Sequence, residues 1–138
     1  MGHPPKEESD PFDDDGRIRT AEQARDVARG FLSVAAAEGG TAVEAVLLVV
    51  SELVSNAVQH AGGITGFHMK AGPDTVTVAV RDPSTVPPSL LPLNATGPGG
   101  FGWRLVLELS VEVRVDVHAE GKTVTAVLPC RTGAAPRD

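Results

Sequence analysis

The stretch of sequence that decides the fold spans residues 50–61 and reads VSELVSNAVQHA. With about 3.6 residues per helical turn, its apolar residues gather on one broad arc, which predicts a half-buried amphipathic helix. Glu52, Asn56 and His60 follow one another at intervals of four residues and form a polar stripe along the edge of that arc. A carboxylate, an amide and an imidazole in one line are either a solvated edge or the wall of a site.

The helix around this stretch is predicted to span 41–61. Thr41 can open it, Glu44 is placed to complete a capping box, and the glycine pair 62–63 ends it. Apolar residues outside 50–61, such as Val46 and Leu47, extend the same arc. Ser51 lies opposite this arc and is predicted to face away from the core.

Two more helices flank this one in the sequence. Thr20 can cap a helix over 21–37, and a third helix is predicted over 102–109. Four segments alternate with strand periodicity, namely 64–71, 75–81, 111–118 and 122–128. Each strand has one apolar face, so we expect an α/β (α+β) fold, a two-layer sandwich with about three helices on one face of a mixed, mostly antiparallel sheet.

The charge is concentrated at one end of the chain. The 138 residues carry 12 Lys and Arg against 18 Asp and Glu, but five of the six net negative charges fall in residues 1–15. We therefore predict a disordered acidic tail over 1–16, a folded domain over 17–130 and a frayed tail over 131–138. No block of Lys or Arg is present to neutralise phosphates, which disfavours direct nucleic-acid binding.

Compartment and cysteine content point to an ordinary soluble protein. Cys130 is the single cysteine, which excludes an internal disulfide and a cysteine-based zinc cluster. The longest apolar run, 45–50, is far shorter than a membrane span, and the N-terminus has no apolar leader segment. We expect a cytoplasmic protein that does not bind a membrane.

Three further features lie outside the central helix. Asp82 directly follows the alternating strand 75–81, where it is either part of an ordinary turn or an acceptor for an exocyclic amine such as adenine N6. The glycine-rich residues 97–102 lead into the third predicted helix and would let the backbone approach an anion, although no Gly-Lys-Ser/Thr sequence follows them. Thr123 stands early in the last strand, where threonine is an ordinary strand former.

In their order and spacing these segments resemble the GHKL ATPase superfamily, and within it the short anti-sigma-factor-type serine kinases and related histidine-kinase-like ATP-binding regulators of actinobacteria. Residues 50–61 resemble the N box of that family, 80–84 its G1 box, 100–106 its G2 box and 121–123 its final strand. The resemblance covers about 20–129 and implies the Bergerat-type ATP-binding fold, with ATP and Mg²⁺ as ligands.

The resemblance implies a role for each matched residue. Asn56 would ligate Mg²⁺ through its amide oxygen, and Glu52 would be the general base. Asp82 would read adenine N6, with Thr123 supporting it through a hydrogen bond or a water. The remaining nucleotide-binding positions, around a lid formed by residues 85–99, would be His60, Ser84, Gly100, Gly102 and Arg104.

Two functions remain open at this point. The first is a serine/threonine protein kinase that phosphorylates an anti-anti-sigma (STAS-type) partner, and the retained Glu52 favours it. The second is a non-catalytic, nucleotide-dependent module that holds a sigma factor or another regulator, and the absence of Lys and Arg from residues 82–103 favours it. The resemblance also implies a homodimer.

Two other interpretations are less favoured. The catalytic domain of a sensor histidine kinase could act only in trans, because this sequence has no room for a helix pair with a phospho-acceptor histidine. A structural protein that binds no nucleotide is the remaining alternative.

Overall fold

The computed structural model describes residues 18–37, 39–88 and 102–132. These residues form three helices and four strands. In chain order they are α1 (Ala21–Ala35), α2 (Thr41–Ala61), β1 (Gly66–Gly72), β2 (Thr75–Asp82), α3 (Gly102–Leu109), β3 (Glu112–His118) and β4 (Gly121–Pro129).

The four strands form one sheet in the order β1-β2-β4-β3. Each of the three pairings is antiparallel, so the described part of the sheet has no parallel pair. The expectation of a mostly antiparallel sheet is confirmed, and the expectation that it is mixed is corrected. In β2 and β4 the residues Val76, Val78 and Val80 lie opposite Leu128, Ala126 and Val124. This register gathers the apolar residues of both central strands on one face, against which the helices pack.

Helix α2 is the central element of the helical layer. It contacts α1 on one side, α3 on the other and the two central strands below. By length and composition alone it could cross a membrane, but its apolar residues supply the core of this fold. The α2 residues that are buried are Val46, Leu47, Val49, Val50, Ser51, Leu53, Val54 and Ala57.

The position of Ser51 corrects one sequence expectation. It was expected to face away from the core, yet it is only 9% exposed. The reason is that α1 covers this side of α2, and Arg25 of α1 donates a hydrogen bond to the Ser51 hydroxyl at 3.0 Å. A helical wheel locates the most apolar face, but it does not show that a neighbouring helix covers a second one.

The helix ends are set by specific backbone features. Thr20 caps α1 as predicted, since its hydroxyl accepts a hydrogen bond from the Gln23 N–H at 3.1 Å. Helix α1 ends at Ala35 rather than residue 37, because Ala36 is extended and forms a β-bridge with Thr132. Helix α2 ends at Ala61 as predicted, followed by Gly62 in the left-handed conformation (φ 83°).

The predicted capping box at the start of α2 is wrong. Gly40 is the N-cap residue, and the cap has no side-chain hydrogen bond. Thr41 is therefore the first residue inside the helix rather than its cap. The acidic Glu44 still lies in the first turn, where its charge is favourable to the helix dipole.

The described chain ends in a segment that is tied to the rest of the fold. Thr132 is buried, and its hydroxyl donates to the Gly72 carbonyl at 2.8 Å. The Ala37 N–H donates to the Arg131 carbonyl at 2.8 Å. Arg131 and Thr132 belong to the predicted frayed tail, so the folded unit extends at least to Thr132. Residues 133–138 lie outside the described residues.

Candidate functional site

The site is centred on Asp82, the last residue of β2. Strand alternation places it on the same face as Val76, Val78 and Val80, so its carboxylate points toward the helices and is only 3% exposed. Its register partner in β4 is Lys122. The Lys122 ammonium lies 3.1 Å from each carboxylate oxygen of Asp82.

The backbone after β2 turns around the same carboxylate. The Ser84 N–H donates to Asp82 Oδ1 at 2.8 Å, and the Ser84 hydroxyl accepts from the Val86 N–H at 3.1 Å. The Ser84 side chain is thus used to shape the loop, while its backbone N–H holds the carboxylate. Ser84 therefore contacts the Asp82 carboxylate through its main chain.

Asp82 and Asn56 line one small cavity. Its walls come from α2, from β2 and β4 and from the loop after β2, and its volume is about 10 Å³. That is room for about one water molecule. The residues that line it are Leu53, Asn56, Val80, Asp82, Pro88, Lys122 and Val124.

Glu52 lies one helical turn before Asn56 on α2 and is partly buried. Burial raises the pKa of the Glu52 carboxyl, because the charged form loses solvation. The carboxyl faces the N-terminus of α3, where a Cβ atom added to Gly102 would collide with Glu52 Oε1. Gly102 is therefore needed to let α3 begin this close to the carboxyl group.

A second and larger opening lies on the other side of Glu52. It has a volume of about 420 Å³ and is formed between the start of α1 and the second half of α2. Thr20, Ser55 and Gln59 line it together with Glu52. Glu52 thus stands between this cleft and the first turn of α3.

Thr123 does not take the predicted position beside Asp82. It lies opposite Arg81, on the outer face of the sheet, and its hydroxyl is 3.4 Å from His118 Nε2. The reason is the two-residue period of a strand, because a shift of one residue moves a side chain to the opposite face. A direct support of Asp82 by the Thr123 side chain is therefore excluded.

The other predicted residues are more peripheral. His60 is exposed near the end of α2, and Arg104 is exposed on α3. Gly100 and lid residues 89–99 lie outside the described residues, whereas 85–88 are described and bring Pro88 to the small cavity. The structure thus brings Asn56 and Asp82 together at the cavity, with Ser84 bonded to Asp82 and with Glu52 close to Gly102 beside it.

Sequence reasoning missed two residues of the site. Lys122 continues the alternation of the buried residues Val124, Ala126 and Leu128, so this pattern alone could have placed it on the helical side of the sheet. Gly121 precedes it with φ 148°, and a Cβ atom there would collide with the Asp82 carbonyl oxygen. Close backbone packing of this kind leaves no signal in the sequence beyond the glycine itself.

The residues present fit Mg²⁺ only with help from a bound nucleotide. Among the described residues no three His, Cys, Asp or Glu side chains cluster into a ready-made metal site. The Asn56 amide oxygen is a hard donor of the type that Mg²⁺ accepts, and this cation is usually held by one or two protein oxygens together with phosphates and waters. The donor set therefore suits a metal that arrives with a polyphosphate.

Comparison with protein families gives one match over most of the chain. Residues 17–128 match a family model described as a histidine kinase-like ATPase domain. None of the curated proteins compared with the chain matches it.

Solved structures with the same fold include two from Erythrobacter litoralis and one from a mycobacterium. The histidine kinase domain of the E. litoralis EL346 blue-light activated histidine kinase is 21% identical (TM-score 0.50), with 88% of this chain and 65% of that chain covered. The E. litoralis EL346 blue-light activated histidine kinase is 22% identical (TM-score 0.50), with 82% of this chain and 42% of that chain covered. The mycobacterial sensor histidine kinase MprB is 15% identical (TM-score 0.50), with 83% of this chain and 97% of that chain covered. The chain thus spans less than two thirds of either Erythrobacter chain, and at these identities the likeness concerns the fold.

Proposed function

Because the chain belongs to the histidine kinase-like ATPase family, an ATP-binding family, we propose that it is a serine/threonine protein kinase of the anti-sigma-factor type. Its substrates are Mg·ATP and a hydroxyl group on an anti-anti-sigma (STAS-type) partner. The proposal places the protein in the cytoplasm as a homodimer, without direct binding to nucleic acid or membrane.

The arrangement of Glu52 is the observation that carries this proposal. Its carboxyl lies one turn from Asn56, against the start of α3, and opens on its other side to the cleft of about 420 Å³. A hydroxyl group entering through that cleft would meet a carboxylate whose pKa is raised by burial, which makes it a stronger proton acceptor.

The transfer itself needs little covalent work from the protein. The partner's hydroxyl oxygen forms a bond to the γ-phosphorus, the bond from that phosphorus to the bridging oxygen breaks, ADP leaves, and Glu52 takes the hydroxyl proton. Asn56 would hold Mg²⁺, which supplies neutralisation of the phosphate charge when bound. Asp82 would contact the base.

Nucleotide binding is tested by calorimetric titration with Mg·ATP and Mg·ADP. We expect Asn56→Ala to weaken the binding of both by about tenfold or more, since an Mg²⁺ ligand is lost. Glu44→Ala removes an exposed polar side chain from the first turn of α2 and should bind as the wild type does. Equal binding by Asn56→Ala and wild type would remove the metal role of Asn56.

Phosphotransfer is tested with γ-labelled ATP and a panel of purified STAS-type proteins. We expect Glu52→Gln to lower the transfer rate by about 10²–10⁴-fold while ATP affinity changes little, because a general base acts on the chemical step. Glu44→Gln, an exposed carboxylate on the same helix, is the matched control. An acid-stable product indicates a phosphorylated hydroxyl, whereas an acid-labile one would indicate transfer to a histidine in trans.

A non-catalytic binding module is the second candidate. It is supported by the absence of Lys and Arg from residues 82–103 and by the pairing of Asp82 with Lys122. On this view the wild type binds nucleotide but transfers no phosphate, and ATP or ADP changes its affinity for a sigma factor. Wild-type phosphotransfer to any panel member would exclude it.

A further inference from the structure

We propose that Lys122 determines which bases the site accepts, and how tightly, by competing with the amino group of the base for Asp82. This inference rests on the proposed nucleotide-binding function and adds a residue that sets its selectivity. The ligand class is a nucleotide whose base carries an exocyclic amine, and binding exchanges one donor on the Asp82 carboxylate for another.

The first support is the occupancy of the carboxylate. Lys122 Nζ is 3.1 Å from both Asp82 oxygens, and Oδ1 also accepts from the Ser84 N–H. The two charged side chains are each only 4% exposed. An amino group that donates to Asp82 would therefore share the carboxylate with a buried ammonium or replace it.

The second support is the lack of space. The cavity beside the ion pair has a volume of about 10 Å³, whereas a purine is many times larger than a single water. Leu53, Val80 and Val124 are core residues of α2 and the sheet, so they cannot move without disrupting the packing. Lys122 has a flexible four-carbon stem, and its displacement both opens space and releases Asp82.

The third support is electrostatic and gives the selectivity. A buried carboxylate that loses its charged partner is strongly destabilised unless another donor replaces it. The 6-amino group of adenine can be that donor, whereas the 6-oxo group of hypoxanthine would face the carboxylate with another acceptor. Displacement of Lys122 is therefore compensated by amino bases and not by oxo bases. An oxo base would leave the Lys122–Asp82 pair in place, so its affinity gains little when the lysine is removed.

The test measures the affinity of Mg·ATP and Mg·ITP for wild type and for Lys122→Thr, with folding checked by circular dichroism. We expect Lys122→Thr to bind ATP about tenfold more tightly, because no ammonium competes, and to gain clearly less for ITP. Lys70→Thr removes an exposed lysine of β1 and should leave both affinities unchanged. Lys122→Met removes the charge but keeps an apolar stem in the core, and it provides the same comparison if Lys122→Thr does not fold.

Each outcome decides the question. Binding of ATP by wild type with equal or weaker binding by the Lys122 variants would overturn the inference and leave the proposed function standing. An equal gain for ATP and ITP would also overturn it, because space alone would then be limiting. Binding by the variants but not by wild type would support it, and failure of all of them to bind any nucleotide would overturn both proposals.

Discussion

At the scale of single residues, the partly buried carboxyl of Glu52 links stability to pH. Burial raises its pKa in the folded state, so the folded chain holds this proton more tightly than the unfolded chain does. Ionisation of Glu52 therefore lowers the free energy of unfolding. The whole loss is present above the folded-state pKa, and none of it is present below the unfolded-state pKa. Stability falls as the pH rises through the window between these two values.

From this sign we expect Glu52→Gln to be slightly more stable than wild type at pH 7 and equally stable near pH 4. Screening by solvent keeps the effect small, about 1–2 °C in Tm at neutral pH. Thermal unfolding of both proteins between pH 4 and 8 measures it. A constant difference across this range would show that burial of the charge is not its cause.

A substitution at Gly102, which lies beside Glu52, should affect phosphotransfer much more than stability. A Cβ atom there would collide with the end of the flexible Glu52 side chain, which can swing away at little energetic expense. We expect Gly102→Ala to keep its Tm within a few degrees, since alanine also favours the helix, but to lose phosphotransfer about as severely as Glu52→Gln. Parallel melting and transfer assays check this, and normal transfer would show that the position of Glu52 is not critical.

At the scale of elements, Gly121 determines how β4 begins beside the end of β2. Its φ of 148° is rarely adopted by other residues, and an added Cβ would meet the backbone of Asp82 and Pro83, which cannot swing aside. We expect Gly121→Ala to lower the free energy of unfolding by about 2 kcal/mol or more and to displace Asp82. Urea denaturation measures the stability loss.

Gly30 provides the matched control for this substitution. It lies within α1, where an added Cβ would have no atom within 4 Å. We expect Gly30→Ala to raise the free energy of unfolding by about 0.5–1 kcal/mol, because alanine loses less backbone entropy in a helix. If both alanine variants were equally stable, the contact of Gly121 with Asp82 and Pro83 would not be a close one.

The same elements show what the sequence could and could not predict. The approximate bounds predicted for α2 and α3, from helical periodicity and from neighbouring glycines, agree with the structure. The side-chain direction of Thr123 could not be predicted, because the resemblance located the strand but only the register with β2 shows which side chain faces the helices. The prediction that Ser51 faces away from the core was wrong for a similar reason, since the burial of Ser51 depends on where α1 packs.

At the scale of the whole molecule, the two ends of the central strand β2 have separate tasks. Asp82 and the proposed site lie at its carboxyl end, whereas Thr75 at its amino end adjoins the turn that Thr132 holds. The net charge is also separate from the site, because five of the six net negative charges belong to residues 1–15, outside every proposed site position. Substitutions at the Thr132 end should therefore affect stability without affecting ligand binding.

The hydroxyl of Thr132 provides the test of this separation. It donates to the Gly72 carbonyl at 2.8 Å and accepts from the Asp74 N–H at 3.3 Å, which fastens the last described residues to the β1–β2 turn. We expect Thr132→Val, which keeps the side-chain shape, to lose about 1–2 kcal/mol in urea unfolding because two partly buried hydrogen bonds are lost. Its affinity for Mg·ATP should equal that of wild type.

Thr125→Val, on the outer face of β4, is the matched control and should lose little stability, because valine is as good a strand former as threonine. A change in ATP affinity on Thr132→Val, with the fold intact by circular dichroism, would contradict the separation. It would mean that the β1–β2 turn and the Asp82 end of the sheet are coupled through β2, so that the tie at Thr132 also sets the geometry of the site.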